Sequence, residues 1–411
     1  HIFMNTKSLL ICTLFSCMAL SGFADEHRYT LHNLANDIGE ANDLAGRYPE
    51  KVQVMAQLMD QHFADVGAVT PVINPSYDPI RSENHSDVSI ARIAFGACNN
   101  PRISTDGMYA AILGEQPDVF VFLGDNIYGD TQDMAVLKEK YADLGTSPGY
   151  QKLQATSKVL ATWDDHDYGR NDGGQAYPMR EESEKVFLDF FNEPQDSVRR
   201  QRPGIYSAHT FGTPGKTCQI ILLDTRYFRD ELPHARYKKG EKPKNIVGWY
   251  QPTQDTSLTL LGDAQWRWLE QQLQVPADFR IIASSIQMLA SEKGMENWGN
   301  VPHEQQRLFR LLKEYQANHT MVISGDVHFA ELSKIDIGGY PLYDLTSSGM
   351  THASPGWAQA KNSFRVGQAY AQLNAGVIDI DWNDKHVALR VIDKDGITAL
   401  KHQIPFSELK F

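Results

Sequence analysis

The 411-residue chain is poor in cysteine, has no surplus of positive charge, and carries no apolar run long enough to cross a bilayer. Only four cysteines occur, and Cys12 and Cys17 fall in a short N-terminal apolar stretch. That leaves Cys98 and Cys218 for the body of the chain, at most one disulfide, a pairing that the motif around Cys98 makes the weaker reading. Acidic residues outnumber basic ones, 51 to 39, for a formal net charge of −12. Sequence-independent nucleic-acid binding needs a basic surface to displace counterions. The one basic run is Lys238, Lys239, Lys242 and Lys244, so no specific nucleic-acid binding is expected, although nucleotide-sized substrates stay open. There is no internal repeat or low-complexity tract. What is present is the balance of a globular protein, 42% apolar and 22% charged, long enough to bury a core without cross-links.

The N-terminus reads as a leader over residues 1–24. Met4 is read as the start, and Lys7 precedes an apolar run over 8–23 that is too short and too rich in small residues for a spanning helix. Gly22-Phe23-Ala24 offers a signal-peptidase site ahead of Asp25-Glu26. The expectation is export to the periplasm or medium, with no transmembrane segment in the mature chain. Residues 25–87 read as an appendage and linker: a short alternating stretch over 28–34, then a helix over 49–63 with Val52, Met55, Leu58 and Met59 on one face. Pro71, Pro75 and Pro79 follow as an extended link. The stretch beginning YTLHNLANDIGEAND and ending NPSYDP resembles the C-terminal tail of sulfatases over about fifty residues.

From residue 88 to 411 the pattern becomes a repeated alternation of buried strand and amphipathic helix. Short apolar runs lie at 90–97, 119–124, 159–163, 220–224, 281–285 and 321–325. Helical patterns lie between them at 134–144, 182–191, 264–273 and 304–315, which predicts a layered α/β domain. Residues 376–405 alternate with period two and predict antiparallel strands.

Four polar clusters sit where an apolar run ends: Cys98-Asn99-Asn100, Gly124-Asp125-Asn126-Ile127-Tyr128, Asp164-Asp165-His166-Asp167 and Gly325-Asp326-Val327-His328. In layered α/β proteins the carboxyl ends of strands meet along one edge, and ligands bind in the crevice there. Each cluster alone has an ordinary reading. A free cysteine is a small core residue, Gly-Asp is a turn, and a tyrosine is a packed ring with a wet tip. Together they offer thiolate, phenolate, carboxylates and imidazoles. Carboxylates suit hard cations, while the other donors suit iron or zinc. The mixed set points to two unlike metals sharing a bridging carboxylate.

The strings FGACNN, FLGDNIYGD, TWDDHDYGRND and ISGDVHFAEL resemble the motifs of the alkaline phosphatase D (PhoD) family of metallophosphoesterases. LLDTRYFRD, LLGDAQWRWLEQQL and ENWGNVPHEQQRL extend the likeness, in consistent order, over about 88–400. The resemblance implies an α/β/β/α sandwich and a hydrolase of phosphoric esters. It implies Cys98, Asp125 and Tyr128 as ligands of Fe3+, with Asp125 bridging to Ca2+, and Asp165, Asp326 and His328 completing the pair with no choice made of which serves which metal. His166 would protonate the leaving oxygen, and Asn126, Arg170, Arg226 and His352 would line the substrate side. Asn126 stands where Gln is frequent in the family, and the sulfatase-like segment occupies the place of the N-terminal β-sandwich of larger members.

A sulfatase would need Cys or Ser in C/S-x-P-x-R, and in Cys98-Asn99-Asn100-Pro101-Arg102 the proline falls one place late. A non-catalytic exported metal- or phosphate-binding protein is the other class of reading. Against it stands the presence of every expected ligand together with His166. Monoester, diester and phospholipid substrates share the same two-metal chemistry, and loops choose among them.

Overall fold

Four central strands of the computed structural model, Val119–Leu123, Cys218–Leu222, Phe279–Ser284 and Thr320–Ser324, are buried at every position. Strands covered on both faces need continuous apolar runs rather than alternation. The structure describes residues 10–14, 29–33, 43–65, 84–104, 106–238 and 240–411. The chain divides into two units, His1–Asp78 and Pro79–Phe411.

In the smaller unit, β1 (Leu10–Leu14) pairs antiparallel with β2 (Tyr29–Asn33). Most of the leader expected over 1–24 lies outside the described residues. The amide of Leu44 donates to the carbonyl of Leu31 at 2.7 Å, which ties β2 to the turn before the helix Pro49–Asp65. On that helix Val52 and Met55 are half-buried and Leu58 is exposed.

The larger unit holds β3 (Asn84–Ser86), β4 (Arg92–Gly96), β5 (Val119–Leu123), β6 (Lys158–Thr162), β7 (Ser207–Phe211), β8 (Cys218–Leu222) and β9 (Phe279–Ser284). It continues with β10 (Thr320–Ser324), β11 (Ala330–Asp336), β12 (Pro341–Ser347), β13 (Arg365–Tyr370), β14 (Ala375–Asp381), β15 (His386–Ile392) and β16 (Thr398–Pro405). These form a six-stranded sheet, β16-β15-β14-β4-β5-β6, and an eight-stranded sheet, β13-β11-β12-β10-β9-β8-β7-β3. β4, β5 and β6 run parallel, as do β8, β9, β10 and β12. Period-two geometry sorts the side chains into layers. Ile93, Phe95, Val119, Val121 and Leu123 face the second sheet and share a core with Ile220, Leu222, Ile281 and Ile323. Ala94, Phe120 and Phe122 point the other way, against Tyr141, Leu144 and Phe187 of the helices Met134–Thr146 and Arg180–Phe190. The helices Gly262–Leu273 and Pro302–Glu314 contribute Trp266, Leu269, Leu308 and Leu312 to the core of the eight-stranded sheet. The order is therefore helix, sheet, sheet, helix: the expected α/β/β/α sandwich. The expected strands over 376–405 are β14, β15 and β16, antiparallel throughout.

Candidate metal centre

The carboxyl ends of β4, β5 and β6 from one sheet, and of β10 and β12 from the other, deliver the expected residues to one place. Two glycines allow this approach. A Cβ on Gly124 would stand 2.4 Å from Cβ of Asp164, and one on Gly325 would stand 2.7 Å from Cβ of Ala97. Real Cβ atoms do not approach that closely, so each Gly-Asp pair puts a bare backbone where two strand ends cross. Cys98, Asp125, Asp326 and His328 have φ of 57°, 50°, 73° and 56°, a region sparsely used by residues with side chains.

Of the groups of donor atoms that lie within 4.8 Å of one another among the described residues, two meet here, Cys98, Asp125 and His328, and Asp125, Asp165 and His166; a third, Asp165, Asp172 and Glu296, adjoins them through Asp165. Asp125 belongs to both of the first two. Its Oδ2 lies 3.4 Å from Cys98 Sγ and 3.4 Å from the Tyr128 hydroxyl, which is in turn 3.3 Å from His328 Nε2 and 2.9 Å from His352 Nε2. His352 thus joins the Tyr128 side of the cluster. Asp326 places its carbonyl 3.5 Å from Cys98 Sγ, while its carboxylate belongs to none of these groups. Both Cys98 and Cys218 are free and buried.

These groups need a cation. Asp125 is buried among Asp165, Asp164 and Asp167; burial first, then their charges, push its carboxyl well above the usual range. Burial and the charge of Asp125 push the Cys98 thiol up as well, and burial and the charge of Cys98 do the same to the Tyr128 phenol. The Arg226 guanidinium pairs with Asp164, and against burial its charge and that of His166 lower Asp165, but Asp125, Cys98 and Tyr128 are left as buried acids, which stay protonated or recruit metal. The donor set therefore fits a pair of metal ions, in which the softer group contains the thiol and the harder group two carboxylates.

His166 sits differently. Its Nδ1 lies 2.8 Å from Asp130 Oδ1, its backbone N–H donates to Asp165 Oδ1 at 2.8 Å, and its ring packs on Tyr128 at 4.2 Å. Burial lowers its pKa, but the Asp130 hydrogen bond and the charges of Asp165 and Asp130 outweigh it and hold the imidazole up to about 9. His328 is pushed down to about 3 by burial and by the charges of His352 and His166, so it stays neutral, the form that binds metal. A cleft of about 510 Å³ opens beside His166, lined also by Asp130, Thr131, Arg170, Asn171 and Tyr177.

Two residues expected on the substrate side are placed elsewhere. Asn126 is fully buried and donates to Asp167 Oδ2 at 2.6 Å and to the carbonyl of Thr162 at 2.8 Å. Arg226 is also fully buried, where its Nε donates to Asp164 Oδ1 at 2.6 Å. Glu296 lies 2.7 Å from Arg226 Nη1 and 2.9 Å from Arg229 Nη2, close enough for charge attraction. Both hold the frame behind the ligands. Arg170 is exposed at the cleft.

Sequence reasoning missed Asp130, Glu296 and Ser348, and named Asp167 in the third polar cluster without a role at the site. Asp167 is the hidden brace: its Oδ1 accepts from the amides of Asp164 at 2.7 Å and Asp125 at 3.2 Å. Ser348 Oγ lies 3.0 Å from Cys98 Sγ and accepts from the His328 amide. The second Gly-Asp in FLGDNIYGD was the available signal for Asp130.

The model of the PhoD-like phosphatase family matches residues 93–352. Alkaline phosphatase D of Bacillus subtilis (strain 168) is 22% identical over 292 residues, which are 62% of this chain and 48% of that protein. The chain thus spans about half the length of that curated relative. Among solved structures, PhoD superposes with a TM-score of 0.59 at 17% identity, covering 80% of this chain and 72% of that one. GAP50, the anchor in the inner membrane complex of Plasmodium, gives a TM-score of 0.50 at 14% identity over 77% and 89% of the two chains.

Proposed function

This chain belongs to the PhoD-like phosphatase family, and from that premise we propose that it is an exported hydrolase of small phosphoric esters using a mixed Fe3+ and Ca2+ pair. The observation that carries the reading is Asp125, one carboxylate shared by a thiol-containing group and a carboxylate-rich group. The fold alone does not carry it, since the same fold is found in a protein described as an anchor. Cys98, Asp125 and Tyr128 would hold Fe3+, and Asp125 and Asp165 would serve Ca2+; His328 groups with Cys98 and Asp125, and it and Asp326 would complete the pair without being assigned to one ion. When bound, such a pair supplies Lewis acidity to the phosphoryl oxygens and to the attacking water.

The chain's own residues do the rest. The buried frame of Asp164, Arg226, Asp167 and Glu296 fixes the strand ends, so the acceptor geometry costs no reorganisation during reaction. Asp130 fixes the His166 ring through Nδ1 and favours its protonated form. Nε2 of His166 then gives its proton to the departing ester oxygen. Arg170, exposed at the cleft, meets a non-bridging phosphoryl oxygen. The leader-like N-terminus supports export. Monoesterase, diesterase and phospholipase activities share this machinery.

The test joins composition to activity. Purified protein should be coloured by tyrosinate on ferric iron, lose turnover of phosphoric esters on calcium chelation, and regain it on adding Ca2+. Colourless, fully active protein containing only zinc would sink the metal assignment. Full metal content without turnover on mono- or diesters would favour a binding protein.

A further inference from the structure

The basic run noted in the sequence belongs to a segment, residues 231–250, that the proposed chemistry does not use. It holds five basic residues against two acidic ones in a chain of net charge −12. The segment is fastened beside the metal centre. The amides of Val247 and Gly248 donate to the carbonyl of Lys293 at 2.9 and 3.1 Å, and that of Tyr250 donates to Gly294 at 2.7 Å. Lys293 and Gly294 lead directly to Glu296 of the site frame. The Tyr250 hydroxyl donates to Asp172 Oδ2 at 2.7 Å, and the Asp172 amide donates to Asp165 Oδ2 at 2.7 Å. Two hydrogen bonds thus separate this lip from an expected metal ligand.

The lip presents an aromatic ring with an ammonium on one face. Trp249 is 53% exposed, and Lys242 Nζ sits 3.8 Å from its ring centroid. One face therefore carries an ammonium and the ring is otherwise largely open, with Tyr237 6.2 Å away. Arg236, Lys238 and Lys244 are exposed, and no ion pair engages them among the described residues. A membrane-adsorbing surface needs a contiguous apolar face, whereas Trp249 is the one large exposed hydrophobic residue described in this segment. An open ring backed by a cation, in a segment that carries further unpaired positive charge, suits a planar, electron-rich ring joined to anionic groups.

We propose that the 231–250 lip is a substrate subsite for nucleotide-type esters, with Trp249 stacking on the base and Arg236, Lys238 and Lys244 meeting a second phosphate. This deepens, and rests on, the reading of the neighbouring centre as a phosphoric-ester hydrolase. It gives the enzyme a preference set by binding, remote from the reacting phosphorus.

The test is calorimetric, on the metal-loaded full chain, and does not require turnover. The methylene-bridged analogue of ADP is compared with methylenediphosphonate, which carries the same two phosphonates and no nucleoside. The nucleotide analogue should bind about tenfold tighter, the scale of one base stacked on one aromatic ring. Trp249→Ala should erase that advantage, and Trp249→Phe should keep most of it. Neutralising Arg236, Lys238 and Lys244 to Gln should weaken both ligands. Equal affinity for the two probes, or an advantage that survives Trp249→Ala, would overturn the subsite. So would Trp249-dependent sedimentation with phosphatidylglycerol vesicles without discrimination between the probes, which assigns the lip to a membrane. Ring-dependent binding in a protein that hydrolyses no ester would instead refute the hydrolase reading and leave the subsite standing.

Discussion

At Cys98, Asp125, Asp326 and His328 the backbone holds side-chain-bearing residues at positive φ. Each such position costs on the order of 1–3 kcal/mol, and here all four fall on residues with donor atoms at one site. Residue types and their place after apolar runs were legible in the sequence, because strand ends in an α/β sandwich share an edge. Partnerships made by a returning chain were not legible. Asp130 pairs with His166 from 36 residues away, and Arg226 carries a charge that reads as a substrate clamp until its burial against Asp164 is seen. The roles of His166 and Asp130 are separable. His166→Ala should leave metal content intact and lower kcat by roughly 10²–10⁴, with alkyl esters harmed more than nitrophenyl esters, whose leaving group needs no proton. Equal harm to all esters together with lost metal would make His166 a ligand. Asp130→Asn keeps an acceptor for His166 Nδ1 but removes the carboxylate charge that, with Asp165, holds His166 up to about 9. The alkaline limb of the kcat–pH profile should therefore move to lower pH, and an unmoved limb would detach it from His166.

Among the elements, the central parallel strands were legible because burial on both faces forces an unbroken apolar run. β7, β11, β12 and β13 were not. β11 reads Ala-Glu-Leu-Ser-Lys-Ile-Asp, yet its Glu331 is fully buried between Lys293 and Arg365, whose charges hold its carboxyl below the usual range against the effect of burial. A polar letter inside an ion-paired layer hides the strand period. The glycines before the ligands act at this scale too, since they let one strand end cross another. Gly124→Ala should cost about 2–4 kcal/mol, combining the clash at Asp164 with a φ of 99°. Gly215 shares the left-handed backbone at 93° but has open space around it. Gly215→Ala should show only the conformational part, about 1 kcal/mol. Equal losses from the two variants, read by urea denaturation, would show that close approach contributes nothing.

Across the whole molecule the buried acids leave a signature in the metal-free protein. Burial pushes Asp167, behind the ligands, up to about 8, and burial also takes Glu296 to about 7 despite Arg226 and Arg229. Groups with a raised folded pKa keep more protons folded than unfolded. Their contribution is complete below the ordinary carboxylate range and is lost as pH rises through about 7 to 8. The Tm of metal-stripped protein should therefore fall across that interval, while the metal-loaded form, its acids compensated, should fall less. Parallel curves would mean that the acids are not paired with cations.

Of all the residues involved, Asp125 bears the largest share of the functional reading, because it joins the thiol-containing group to the group it shares with Asp165 and His166. The most direct measurement is elemental analysis of Asp125→Asn beside the wild type, with Tm of the metal-stripped forms as the control for folding. The expected result is roughly two metal ions per wild-type chain, as in paired-metal hydrolases, and the loss of both, with all turnover, from a variant that remains folded. A folded variant that keeps both ions, or loses one and retains the other, would contradict a shared carboxylate and with it the paired centre.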